Sequence, residues 1–205
     1  MKPEIVVFDL GKVLVDFDYS IAAQRIAARS TTSVENLHSF LGSSPRLIEL
    51  ETGTLTRQTF FEAVCQTTGF RGTLDEFSEF FADIFSPIPP MIEIHAGLRR
   101  QNIPTYIFSN TNDLAVEHIQ RNFSFFKNFD GYIYSYEVGT MKPGAKIYES
   151  LEKLTGRRGA EIVYLDDRPE NVAAGATRGW QAILHETPEK SRAALENLKL
   201  LQQST

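Results

Sequence analysis

The stretch Ile5-Val6-Val7-Phe8-Asp9 decides the fold of this chain, because four apolar residues run directly into a carboxylate. A short, continuous apolar run rich in β-branched residues is typical of a strand that is buried on both faces of a parallel sheet. Ligands of an open parallel sheet bind at the carboxyl ends of its strands. Asp9 is therefore the first candidate for a functional side chain.

The second half of the chain alternates between helix and strand patterns. The strand patterns cover 104–108, 132–135, 162–165 and 181–184, and the helix patterns cover 91–101, 113–121, 145–154, 171–178 and 188–201. Strands that alternate with helices require right-handed crossovers, which place helices on both faces of the sheet. The pattern predicts an α/β fold with a Rossmann-like, three-layer core and a mostly parallel sheet.

Residues 19–85 interrupt this alternation with a helical pattern. Capping residues at Ser33, Thr56 and Thr73 precede acidic or apolar segments, which predicts that helices begin there. Seven phenylalanines lie between positions 60 and 85. That number of large apolar side chains is enough to form a small separate core.

Three prolines between positions 87 and 90 end the helical pattern. We therefore predict a core domain of residues 1–15 and 89–205 and an inserted, all-α helical subdomain of residues 16–88. The core has the usual size of a single domain. The inserted segment is too long to be a loop.

Polar residues of a consistent chemistry follow the predicted strands. Ser109-Asn110-Thr111 follows the second strand, Asp166-Asp167 follows the fourth, and Lys142 lies beyond the third. Together with Asp9 they provide a single carboxylate, hydroxyl and amide donors, a cation and an acidic pair. This combination fits a site that holds a phosphate beside a divalent cation.

Four segments resemble the haloacid dehalogenase superfamily, whose members include phosphatases that form an aspartyl phosphate. The matching segments are Val7-Phe8-Asp9-Leu10-Gly11-Lys12-Val13-Leu14, Ile107-Phe108-Ser109-Asn110, Met141-Lys142-Pro143-Gly144-Ala145-Lys146-Ile147-Tyr148 and Tyr164-Leu165-Asp166-Asp167-Arg168-Pro169-Glu170-Asn171-Val172. They occur in the order of the family, and the inserted segment lies where the family has a helical cap. The resemblance implies the Rossmann-like core and the cap that the patterns predict.

A carboxylate such as Asp9 can attack phosphorus and form an acyl phosphate, which splits a difficult hydrolysis into two easier displacements. Mg²⁺ offsets the negative charges and binds one or two carboxylates along with other oxygens. Asp9 and Asp167 are the expected carboxylate ligands, and the resemblance adds the Gly11 carbonyl. Asp166 is expected beside the metal, where it orients a metal-bound water.

The phosphate itself is expected to contact four residues. The Ser109 hydroxyl and the Asn110 and Thr111 amides, at the start of a helix, would bind its non-bridging oxygens. Lys142 would place a positive charge between the phosphate and Asp9, where it stabilises the charge that develops during transfer.

Gly11 departs from the phosphatases of the superfamily, which usually carry a general acid–base aspartate two residues after the nucleophile. One interpretation is a slower phosphatase that uses water or a cap residue, with Asp16 and Asp18 as nearby candidates. A second is a 2-haloacid dehalogenase, in which Asp9 attacks carbon and a halide leaves without a proton. A third is a weakly catalytic phosphate-binding module. The pair Asp166-Asp167 favours the metal-dependent phosphatase, acting on a small phosphomonoester such as a sugar phosphate.

Composition excludes other classes of partner. The 205 residues carry a formal net charge of −5, so the chain lacks the positive charge that nucleic acids require. No stretch approaches the length of an apolar membrane span, and Cys65 has no second cysteine with which to form a disulfide. We expect a cytoplasmic enzyme with a small phosphorylated substrate, no nucleic-acid partner and no membrane partner; the oligomeric state has no signal in the sequence.

Overall fold

A computed structural model describes residues 2–202 of the chain. The strands are β1 (Ile5–Phe8), β2 (Val15–Phe17), β3 (Phe85–Pro87), β4 (Thr105–Ser109), β5 (Gly131–Tyr134), β6 (Ile162–Asp166) and β7 (Gln181–Leu184). The α-helices are α1 (Tyr19–Ala27), α2 (Val34–Ser43), α3 (Pro45–Glu51), α4 (Arg57–Thr68), α5 (Leu74–Ala82), α6 (Pro89–Arg100), α7 (Asp113–Asn122), α8 (Ser135–Val138), α9 (Ala145–Thr155), α10 (Pro169–Thr177) and α11 (Pro188–Asn197). Among these described residues, none of the helices combines the length and the apolar character that crossing a bilayer requires.

Five strands form one sheet in the order β5-β4-β1-β6-β7, and every neighbouring pair is parallel. The strand β1 lies at the centre, and all four of its residues are buried, as its apolar run predicts. The parallel sheet and its flanking helices confirm the predicted fold class.

The two faces of the sheet follow from the alternation of side chains along β1. Val6 and Phe8 belong to an apolar cluster with α6, α7 and α11, whereas Ile5 and Val7 belong to a second cluster with α9 and α10. Successive side chains of a strand point to opposite faces, so each face is covered by its own layer of helices. The core therefore has three layers.

The helices α1–α5, called the cap helices below, have their own apolar cluster, centred on residues such as Phe60, Phe77 and Phe81. The predicted helix starts are confirmed at all three positions. Ser33, Thr56 and Thr73 are N-caps whose side chains accept hydrogen bonds from backbone N–H groups in the first turn. The capping residues thus set where these helices begin.

Two short strands at the ends of the inserted segment were not expected from the sequence. Val15–Phe17 pairs antiparallel with Phe85–Pro87, so the chain enters and leaves the cap helices along one two-stranded ladder. Three residues are too few to show a strand period. The prolines after this ladder open α6 at its first turn, where the missing N–H costs nothing. The domain boundaries at residues 15 and 89 stay a prediction.

Candidate active site

The predicted site residues come from the carboxyl ends of three neighbouring strands. Asp9 follows the central strand β1, Ser109 ends β4 on one side of it, and Asp166 ends β6 on the other side. All three side chains are buried. Because parallel strands end at the same edge of a sheet, residues far apart in sequence meet at this edge.

Lys142 joins the two sides of the site. Its Nζ lies 3.0 Å from Asp9 Oδ1 and 2.6 Å from Asp166 Oδ2, and it donates a hydrogen bond of 2.8 Å to the carbonyl of Phe108. Three acceptors match the three N–H groups of an ammonium. Its side chain is only 1% exposed, so the ion pairs are shielded from solvent.

Asp166 is the most heavily bonded carboxylate of the site. Its Oδ2 also accepts a hydrogen bond from the Tyr164 hydroxyl, and its Oδ1 accepts from the backbone N–H of Arg168 and from Asn171 Nδ2. Sequence reasoning assigned no role to Tyr164 or Asn171. Their positions could have indicated contact with Asp166. Tyr164 lies two residues before Asp166 on the same face of β6, and Asn171 lies in the first turn of the next helix.

Burial and charge set the protonation of these groups. Burial raises the pKa of Asp9 more than Lys142 lowers it. For Asp166, burial is outweighed by the ion pair with Lys142 and by the donated hydrogen bonds, and its pKa falls below the usual range. Burial and the charge of Asp166 raise the pKa of Asp167, while the two neighbouring carboxylates raise the pKa of Lys142 despite its burial. The raised pKa values of Asp9 and Asp167 reflect the cost of burying several carboxylates together, a cost that a bound cation would offset.

Three carboxylates form a candidate metal centre. One oxygen from each of Asp9, Asp166 and Asp167 lies within 4.8 Å of the others. A single lysine against three carboxylates leaves an excess of negative charge, and oxygen donors are the ligands that Mg²⁺ prefers. The donor set therefore fits Mg²⁺. Asp9 and Asp167 have more capacity for direct coordination than Asp166, whose two oxygens already accept several hydrogen bonds.

The predicted phosphate-binding segment follows β4. The Asn110 side chain accepts a hydrogen bond of 2.7 Å from the Lys142 N–H and donates one of 3.0 Å to the Lys142 carbonyl. It therefore fixes the backbone that carries Lys142. The Thr111 N–H, expected to contact phosphate, instead donates to Ser135 Oγ at 2.9 Å. The Ser109 hydroxyl makes only a long contact of 3.3 Å to the carbonyl of Asn110.

Two adjoining cavities lie between these strand ends and the cap helices. The larger, about 320 Å³, is lined by Asp9, Lys142 and Asp167 of the core and by Leu47 and Glu51 of α3. The smaller, about 60 Å³, contains Gly11 and Ser109-Asn110-Thr111 and again reaches Glu51. Residues of the cap helices and of the core therefore line the candidate site together. Glu51 was not predicted from the sequence.

The space beside Gly11 is filled by an aromatic ring. A Cβ atom at position 11 would lie 2.9 Å from Cε1 of Phe17, closer than carbon atoms approach in folded proteins. Asp16, a candidate acid in the sequence, is exposed and paired with Lys12. The other candidate, Asp18, caps α1 by accepting from the Ser20 N–H. Neither carboxylate lines the two cavities.

Comparisons with known proteins find a relative that matches most of the chain. A D-ribitol-5-phosphate phosphatase of Bacteroides thetaiotaomicron is 24% identical over 189 residues, which cover 87% of this chain and 89% of that protein.

Two solved structures share the fold. A HAD family enzyme of Bacteroides thetaiotaomicron, solved in complex with magnesium and inorganic phosphate, superposes with a TM-score of 0.78 at 20% identity and covers 89% of this chain and 93% of its own. A HAD-like family hydrolase of Porphyromonas gingivalis has a TM-score of 0.79 at 21% identity over 100% of both chains.

The model of the haloacid dehalogenase-like hydrolase family matches residues 3–179, which include the carboxyl ends of β1, β4 and β6 and all of the cap helices. This chain therefore belongs to the haloacid dehalogenase-like hydrolases.

Proposed function

We propose that this hydrolase removes the phosphate from a small phosphomonoester, such as a sugar or polyol phosphate, through a phosphoryl group carried on Asp9 and with Mg²⁺ as cofactor. The observation that carries the proposal is the buried Lys142, which contacts Asp9 and Asp166 beside a third carboxylate, Asp167. The relative that acts on D-ribitol 5-phosphate and the related fold solved with magnesium and phosphate support the same chemistry.

Asp9 is held in an orientation suited to attack on phosphorus. Its Oδ1 accepts a hydrogen bond of 2.7 Å from the Leu10 N–H in addition to the contact with Lys142. Oδ2 has no hydrogen-bond donor in the part of the chain that the structure describes. One oxygen is thus fixed by two donors, and the carboxylate keeps the second for bond formation. Fixing the nucleophile in this way lowers the entropy cost of reaching the transition state.

Lys142 supplies a buried positive charge next to the attacked phosphate. A fixed charge in a site that excludes water stabilises developing negative charge without reorganisation. The two hydrogen bonds from Asn110 to the backbone of Lys142 keep this charge in place. Ser109, whose hydroxyl has only a weak partner, is available to bind a non-bridging phosphate oxygen.

Asp9, Asp167 and the carbonyl of Gly11 are the proposed ligands of Mg²⁺. When bound, the metal supplies positive charge that offsets the repulsion between the carboxylates and the phosphate. Asp166 positions Lys142 and the loop that carries Asp167. The cluster of carboxylates argues against the 2-haloacid alternative, because the carboxylate of a haloacid would enter a site in which Lys142 already pairs with Asp9 and Asp166 and a third carboxylate, Asp167, lies nearby.

A screen of phosphomonoesters, including D-ribitol 5-phosphate, tests the proposal. We expect phosphate release that disappears with excess chelator and returns with Mg²⁺. Asp9→Asn should abolish release and the covalent phosphoryl group detectable on Asp9 by mass spectrometry. Asp75→Asn, which changes an exposed carboxylate on α5, is the matched control and should retain activity. Release of chloride from 2-chloropropionate that survives chelation, without phosphate release, would refute the proposal.

A further inference from the structure

Glu51 is a carboxylate that the cap helices contribute to the site. It is the last residue of α3 and lines both cavities, the one that contains Asp9 and the one that contains Ser109 and Gly11. A group bonded to a phosphate near Asp9 would extend toward this side of the cavity, because the core residues surround the phosphate from the strand ends. Glu51 is therefore placed on the side of the leaving group.

The Glu51 carboxylate has no salt bridge or hydrogen bond within residues 2–202. Glu49, two residues earlier on the same helix, is instead paired with Arg46 at 2.8 Å. Burial raises the pKa of Glu51 to about 7, with a further contribution from the charge of Asp9, while Arg168 acts in the opposite direction. The protonated and ionised forms of Glu51 are thus both accessible near neutral pH, which is what a general acid–base requires.

Position 11, where phosphatases of the superfamily usually carry the general acid–base aspartate, has no such side chain here. Gly11 has no side chain, and the ring of Phe17 lies where the Cβ of a larger residue would be. The candidate acids Asp16 and Asp18 are exposed and engaged elsewhere. We propose that Glu51 is the general acid and general base of the phosphatase reaction, an inference that rests on the proposed function.

In the proposed role, Glu51 donates a proton in the first step and accepts one in the second. In the first, Asp9 forms a bond to phosphorus, the ester P–O bond breaks, and its electron pair goes to the leaving oxygen, which takes the proton of Glu51. In the second, a water attacks the phosphoryl group as the Glu51 carboxylate accepts a proton from it. The bond between phosphorus and the Asp9 oxygen then breaks, releasing inorganic phosphate and restoring both carboxyl groups to their starting states.

The test compares two leaving groups in the full-length protein with Mg²⁺. One substrate is p-nitrophenyl phosphate, whose leaving group departs as a stable anion, and the other is the best alkyl phosphate found for the wild type. For Glu51→Gln we expect kcat/KM on the alkyl phosphate to fall by about 10²- to 10⁴-fold, and kcat/KM on the aryl phosphate to change little. The phosphorylated enzyme should accumulate with the aryl phosphate, because the base for the second step is missing. Glu49→Gln is the matched control and should behave as the wild type.

Several outcomes overturn the role of Glu51. An equal loss of kcat/KM on both substrates would mean that Glu51 positions the substrate or the fold, and no loss on the alkyl phosphate would mean that another group transfers the proton. If Glu51→Gln does not fold, Glu51→Ala assayed with added formate decides the question, since a small carboxylic acid should restore the alkyl phosphatase activity and its failure to do so contradicts the role. If the wild type releases phosphate from neither ester, the proposed function itself falls, and with it the role of Glu51.

Discussion

Adding a single methyl group at position 11 tests whether the ring of Phe17 occupies the space beside the nucleophile loop. In Gly11→Ala the new Cβ would lie 2.9 Å from Cε1 of Phe17 and 3.5 Å from its Cδ1. Carbon atoms are in favourable contact at roughly 3.5–4.0 Å, so the ring or the loop must move by about half an ångström or more. The variant therefore measures the room at this position with little chemical change.

The surroundings of Phe17 determine the size of the effect. Its ring makes edge contacts with Tyr19 and Phe85 at centroid distances of 5.7 and 6.0 Å, and Lys12 Nζ lies 4.6 Å from its centre. The ring also lines both cavities, so it can move toward them, but only by losing some of these contacts. Overpacking of this kind costs about 1–3 kcal/mol. In a chain of this length that corresponds to a fall in Tm of roughly 2–12 °C.

Denaturant unfolding of four proteins isolates the contact: the wild type, Gly11→Ala, Phe17→Ala and the double variant. We expect the free energy of unfolding to fall in Gly11→Ala, and we expect the same substitution to cost little once Phe17 is alanine. Gly42→Ala is the matched control, because its Cβ would meet its nearest neighbour, Tyr19, at 4.0 Å. If Gly11→Ala is as stable as the wild type, the ring of Phe17 does not occupy this space. The same conclusion follows if the substitution lowers the free energy of unfolding equally with Phe17 and with alanine at position 17.

Two further predictions concern buried groups of the core. Burial, with a contribution from Arg99, lowers the pKa of His95 to about 4. The unfolded chain binds a proton at this histidine below about pH 6.5, whereas the folded chain does not until about pH 4. The free energy of unfolding should therefore fall by up to about 3 kcal/mol between pH 6.5 and 4. Urea titrations at both pH values should show a smaller fall for His95→Gln than for the wild type. Asp166→Asn should lower the free energy of unfolding by about 1.5–3 kcal/mol, because Lys142 loses a charged hydrogen-bond partner but keeps Asp9. An unchanged free energy of unfolding would show that Asp9 alone is enough to stabilise the buried lysine.

The sequence predicts the core side of the site better than the cap side for a physical reason. Asp9 and Asp166 end apolar runs. The geometry of a parallel sheet brings such strand ends together regardless of the conformation of the connecting loops. Lys142 lies in a loop beyond the third predicted strand of the core, so its position in the sequence indicated the site only loosely and the family motif supplied its role. Tyr164 is indistinguishable in sequence from an ordinary core aromatic, although its hydroxyl contacts Asp166.

The cap side depends on packing between segments that no local pattern encodes. Phe17 and Glu51 belong to short elements, and their positions relative to Gly11 follow from how the cap helices lie on the core. The N-caps of these helices were predictable because they depend on a few adjacent residues. The direction in which the last residue of α3 points was not, because that direction is set by contacts across the chain.

Contacts made by Gly53 and Arg57 hold α3 and α4 against the core close to Glu51. Gly53 has φ +69°, and a Cβ there would lie 2.1 Å from the carbonyl oxygen of Tyr136, so glycine is required both by the backbone conformation and by the close approach. Arg57 pairs with Asp113 and Glu117 of α7 at 2.6 and 2.9 Å. The turn that follows Glu51 is thus held to the core at Gly53 and again at Arg57. In the proposed reaction, these contacts bring the proton donor to the leaving group, so loosening them would weaken proton transfer.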